Sequence, residues 1–178
     1  MFRYKTRIIK KLLSDLLSRF DYFQIDFKYF QQNNTDMIIL FEQKIDEFNN
    51  QCKEKRYVDI IEILFQLLHI LDTNFSDIFF VLSLVDIIEK SNFLQNTNSI
   101  IQSKNLNLLE MFLIFLISFS YASGDFMEIL INFFVTDNFT SFLFSETKNT
   151  FLITYYYSLI SLLCEYSEQF IQETIDSQ

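Results

Sequence analysis

Residues 103–131, SKNLNLLEMFLIFLISFSYASGDFMEILI, lie over residues 147–175, TKNTFLITYYYSLISLLCEYSEQFIQETI, when the chain is slid along itself by 44 residues. Lys104 meets Lys148, Asn105 meets Asn149 and Leu108 meets Leu152. Leu116 meets Ile160, Phe119 meets Leu163, Ser123 meets Ser167 and Phe126 meets Phe170. A slide of 48 brings Arg56–Leu71 onto Lys104–Phe119, and Ile78 and Val81 onto Phe126 and Ile129. Each unit reads as a long apolar helix, a short corner, a medium helix and a shorter variable one. A period in the forties built from helices points to stacked repeats, because a two- or three-helix unit cannot bury its own apolar face.

The composition agrees with an all-α chain. Among 178 residues there is no Pro, no Trp and one Gly, against 23 Phe. β-rich domains reverse direction with Gly, Asn-Gly or Pro turns, and nucleotide-binding α/β folds need Gly-rich phosphate loops. Helices can be punctuated by Ser, Asn, Asp and Thr caps instead. Gly, Pro, Ala and Trp are depleted together, as in a gene rich in A and T, so the Phe residues are read as core.

The element reading runs outward from the repeat. Residues 8–20 and 22–32 read as helices, the first amphipathic. Thr35 or Asp36 caps a helix over 37–48, and 49–56 reads as a polar loop or short helix. Helices follow over 58–71 and, capped by Ser76, to Glu89. "SNFLQNTNS" reads as a loop, with a short helix near 99–103. Asn105 caps the long helix to Tyr121. Gly124 is read as its C-terminal stop, and Asp125 with Glu128 as a capping box opening a helix to Val135. Asp137 or Asn138 opens a short helix ending near Ser145. Asn149 or Thr150 opens another long helix to Glu165, and Ser167 begins a last one.

The net charge of −9 is unevenly spread. Residues 1–19 carry Arg3, Lys5, Arg7, Lys10, Lys11 and Arg19 against Asp15 alone, and from Leu106 onward the only basic residue is Lys148. An acidic body repels phosphates, so nucleic acid is not expected as a partner; a basic peptide would suit it. Cys52 and Cys164 form no motif and fit a reducing compartment. The charged N-terminus does not read as a signal peptide. Met111–Ala122 is uncharged but shorter than the about 20 residues a span needs, and reads as a buried core helix.

At this point the chain resembles the armadillo repeat family, on the segment Ser145–Gln178, SETKNTFLITYYYSLISLLCEYSEQFIQETIDSQ. It is similar to that family's long third helix, a corner, and the next repeat's first helix. HEAT repeats, two-helix units of similar period, are the neighbouring alternative. The resemblance implies a right-handed α-solenoid of about three to four repeats. Residues 1–178 would be one domain, with 1–34 as atypical basic N-terminal helices and 35–178 as the repeat-like body. A compact helical bundle is the competing architecture. The family's peptide-binding importins carry Trp and Asn ladders on the third helix. Here the matching positions are Tyr157 and Ser161, and Leu113 and Ile117 one repeat earlier, which argues against an importin groove.

The site residues follow from the same register. Tyr155, Tyr156 and Tyr157 cover about 200° of arc on a helix, so they cannot all face one core. With Ser161 they are the expected partner-binding residues, since Tyr anchors bound peptides well. His69, the only histidine, has no partners in sequence for a triad or multi-His metal site. The chain is therefore expected to be a non-enzymatic scaffold without metal or cofactor, binding a protein or basic peptide in the cytoplasm or nucleus. The competing functions are a compact helical regulator that grips one amphipathic helix in a groove, and a membrane-associated protein.

Overall fold

The computed structural model describes residues 33–137 and 150–167, together with Lys11. Apart from Lys11 and Ser167, the expected helices over 8–20, 22–32 and 138–145, and the one beginning at Ser167, lie outside the described residues. Within them the chain is all-helical, with no strand. α1 spans Asn34–Glu54, α2 Tyr57–Thr73, α3 Ile78–Lys90, α4 Thr97–Gln102, α5 Leu106–Ala122, α6 Gly124–Asp137 and α7 Thr150–Tyr166. A 3-10 turn at Leu94–Asn96 precedes α4.

α1 is longer at both ends than its sequence suggests. Its cap is Asn33, whose Oδ1 accepts from the Asp36 N–H at 3.0 Å, rather than Thr35 or Asp36. Residues 49–54 continue the helix instead of looping, because the buried stripe Met37, Phe41, Ile45, Phe48 runs on to Cys52 at helical spacing. The helix then stops at Lys55, which adopts φ 59°. The Lys55 N–H reaches the Cys52 carbonyl and the Arg56 N–H the Gln51 carbonyl, closing the paired bonds of a left-handed C-terminal cap.

Two other caps differ from expectation. Asp77, not Ser76, caps α3: its Oδ1 accepts from the Phe79 and Phe80 N–H groups at 3.0 and 3.2 Å. Its Oδ2 also accepts from Asn34 Nδ2 at 2.8 Å, tying the starts of α1 and α3 together. Between α5 and α6 the stop is Ser123, in extended conformation, and Gly124 is the first residue of α6. The Ser123 hydroxyl accepts from the Phe126 N–H at 3.4 Å, occupying the role assigned to Asp125. Asn105 caps α5 as its position suggests, accepting from the Leu108 N–H at 3.2 Å.

The three repeat-related helices α2, α5 and α7 are each 17 residues. Under the offset of 44, α5 and α7 begin and end at equivalent positions. α2 packs on α5, and α5 packs on α7. Five aligned positions are buried in all three: Ile60, Leu108 and Leu152 at the first, then Leu64, Phe112 and Tyr156 at the second. Leu67, Phe115 and Leu159 follow, then Leu68, Leu116 and Ile160, and finally Leu71, Phe119 and Leu163. The medium helices pair as well: α3 packs on α6, and both touch the elements beside them, α3 on α1 and α6 on α5 and α7.

α5 is the centre of the molecule. Every residue from Leu108 to Ser120 is buried. One flank meets a chain of rings: Phe93, from the turn before α4, lies 4.4 Å from Phe48, 4.8 Å from Phe115 and 5.8 Å from Phe112, centroid to centroid. Phe119 continues the row, 4.6 Å from Phe115, 5.3 Å from Phe126 and 5.9 Å from Phe41. Tilted rings at these separations add attraction beyond their burial. Met111–Ser120 is thus core, with Tyr121 and Ala122 half-buried against it, and no described helix is long and apolar enough to cross a membrane.

Candidate interaction surfaces

The pairing of α3 with α6 leaves an open groove of about 390 Å³ between them. Helical spacing puts Leu82, Val85, Asp86 and Glu89 on one side of α3, and Asp125, Glu128, Ile129 and Asn132 on the facing side of α6. Val85 is buried and Ile129 half-buried, while the four carboxylates are exposed, so the groove has an apolar bottom and a charged lip. Lys90 donates to Asp86 at 2.7 Å, and this bond and charge raise the Lys90 ammonium above its ordinary value. Asp125 and Glu128 have no ion-pair partner among the described residues. The carboxylates are strung along the groove rather than gathered on one point: no set of three acidic, His or Cys residues among the described residues is placed to hold a metal.

The apolar side of the groove continues past Leu82 along α3. Ile78 and Phe79, one turn earlier, are exposed, Phe79 to 79%. A solvent-facing Phe beside two aliphatic residues is an uncommon use of surface, and contiguous apolar surface of this kind marks interaction sites.

No family model matches this chain, and neither a curated protein nor a solved structure matches it. Function must therefore be argued from these surfaces.

The tyrosines are not brought together on one face. Tyr156 is buried, at the position held by Phe112 in α5 and Leu64 in α2, and burial pushes its hydroxyl well above the ordinary value of 10.0. Tyr155 is half-buried against the core. Tyr157 is half exposed and its ring meets that of Tyr156 edge-on at 6.0 Å. Ser161, one turn on, is exposed. Of the four expected partner-binding residues, Tyr157 and Ser161 therefore share an outward face of α7, with Thr154 and Ser158 beside them. Their counterparts on α5, Leu113 and Ile117, are buried, so that face is not repeated on the central helix.

His69 is half-buried on α2, and burial lowers its imidazole pKa while the Asp72 charge opposes the shift. Burial pushes the Cys52 thiol up to about 12. Both effects disfavour the charged form, as expected of groups set against a core. Sequence reading missed the groove. Its one advance signal was the acidic excess of the body, which carries no position.

Proposed function

We propose that this chain is a non-enzymatic interaction scaffold of the armadillo or HEAT kind, presenting a face of stacked helices to a peptide or protein. The observation that carries the reading is the series α2–α5–α7. Helices related by sequence offsets of 48 and 44 are spatial neighbours in order, and bury the same five positions. Repetition of one helix beside its copy is how a solenoid grows, and the surfaces so formed are extended and suited to peptides.

A compact helical regulator is the second reading, favoured by α5. A helix buried along thirteen successive residues resembles the centre of a bundle more than the middle of an open curved stack. The two readings differ in what a partner would touch. A scaffold engages equivalent faces of successive helices, whereas a bundle receives one helix in a single cleft.

The test is recovery of partners from source-cell extract with the full chain as bait, followed by cross-linking of the purified complex. A partner cross-linked across two or more equivalent helices supports the scaffold. Cross-links confined to one cleft favour the regulator. Enrichment of nothing above a heat-unfolded bait overturns both.

A further inference from the structure

We propose that the α3–α6 groove is the docking site for a basic amphipathic peptide segment of a partner protein, its apolar residues on Leu82 and Phe79 and its Lys or Arg residues on Glu89, Asp125 and Glu128. The proposal rests on the interaction-scaffold reading and gives it a place and a partner chemistry.

Two independent features of the groove point to the same occupant. The first is apolar: Ile78, Phe79 and Leu82 form a solvated patch that leads into the groove, where Val85 and Ile129 continue it. Covering such a patch is favourable by roughly 25 cal/mol for each Å² removed from water. The second is electrostatic: four carboxylates line the lip, and among the described residues only Asp86 of these has an ion-pair partner, Lys90. Like charges held along two packed helices repel one another, and a cationic ligand relieves that repulsion on binding. An acidic ligand would meet the opposite, and so would phosphate-rich surfaces such as nucleic acid or anionic lipid. Neither feature suffices alone. A neutral apolar peptide would leave the carboxylates partly desolvated without partners, and a purely basic one would leave Phe79 in water. A segment with apolar residues on one side and cations flanking them satisfies both. The width of a groove between two helices also suits an extended or helical chain rather than a globular face.

The experiment is a selection of random 16-residue peptides displayed on phage, with the folded full chain as bait and the heat-unfolded chain as counter-bait; binding of the selected peptides is then read by fluorescence anisotropy. The expected consensus pairs Lys or Arg with aromatic or aliphatic residues. Its affinity should fall by about tenfold in the variant E89Q/D125N/E128Q, and at high salt. It should also fall in F79S/L82S, and stay within about twofold in a control variant neutralised elsewhere, D46N/D59N/E62Q. Circular dichroism establishes that each variant is folded; all the substituted acids are exposed or half-exposed, so loss of fold is not a consequence of removing them. A neutral or acidic consensus, or a basic one that the control variant weakens as much as the groove variant does, overturns the proposal and leaves the scaffold reading standing. No peptide enriched over the unfolded bait overturns the proposal too, and partners recovered from extract would then show whether the scaffold reading falls with it.

Discussion

The ring of Tyr166, at the end of α7, lies against Gly124 at the start of α6: a Cβ on Gly124 would meet Tyr166 Cε2 at 3.3 Å. Gly124 has no left-handed φ, so its backbone tolerates any side chain, and what limits substitution is this approach. Tyr166 is nearly half exposed, and its ring has room to swing outward. Gly124→Ala should therefore change stability by no more than about 0.5 kcal/mol, the gain from a stiffer unfolded chain offsetting the crowding. In a Tyr166→Ala background the same change should stabilise by about 0.5–1 kcal/mol. Urea denaturation of the four-member cycle measures the difference, and equal effects in both backgrounds would contradict it.

Adjacent tyrosines on α7 should behave as different kinds of residue. Tyr156→Ala removes a buried ring from the shared face of the long helices and should cost about 3–5 kcal/mol. Tyr157→Ala alters a half-exposed side chain and should cost under about 1 kcal/mol. Chemical denaturation of the two variants checks the ranking.

Lys55 holds φ 59° at the C-terminal cap of α1, a conformation in which glycine carries no Cβ penalty. Lys55→Gly should stabilise the chain by about 0.5–1 kcal/mol. Lys55→Ala should not, because alanine shares the steric cost. The thermal midpoints of the two variants separate backbone strain from loss of the lysine charge.

Ser118 is fully buried on α5, and its hydroxyl has no hydrogen-bond partner among the described residues. Ser118→Ala deletes that oxygen and raises helix propensity, and should stabilise by about 1 kcal/mol. A destabilised variant in the same denaturation assay would mean that the hydroxyl is satisfied in solution.

His69 gives the fold a pH dependence of known sign. Burial holds its folded pKa below the unfolded value of 6.5. In that window the unfolded chain binds the proton more tightly. The contribution to stability is therefore complete above 6.5 and is lost as pH falls through the folded value. The urea midpoint should drop between about pH 7.5 and about pH 5.5, and His69→Gln should reduce that drop. An unchanged drop would assign it to the carboxylates.

Helices α2, α5 and α7 were legible in the sequence because each carries an apolar pattern strong enough to stand without context. Asn105 at the head of α5 is the plainest case. The corners were less so. Ser76 and Asp77 are adjacent and both cap well, and only the geometry that brings Asn34 beside Asp77 decides between them. Gly124 looked like a helix stop on propensity, but Ser123 already terminates α5, and the lack of a side chain serves the approach of Tyr166. The tyrosines show the limit of a register argument: repeat alignment places Tyr156 with Phe112 and Leu64 in the core, yet nothing local distinguishes it from Tyr157. The α3–α6 groove was invisible for a different reason. Asp86 and Glu89 lie nearly forty residues from Asp125 and Glu128, and only packing brings the two pairs to one place.

The enclosure of α5 also has a consequence in time. Synthesis runs from the N-terminus, so α5 leaves the ribosome before α7 exists to cover its side. Until α7 has emerged, a helix dominated by Leu, Ile, Phe and Met must wait with that flank in water, the condition under which chains associate with one another or with chaperones. Slowing translation between Asp137 and Thr150 would lengthen that wait, and the yield of soluble protein is where it would register.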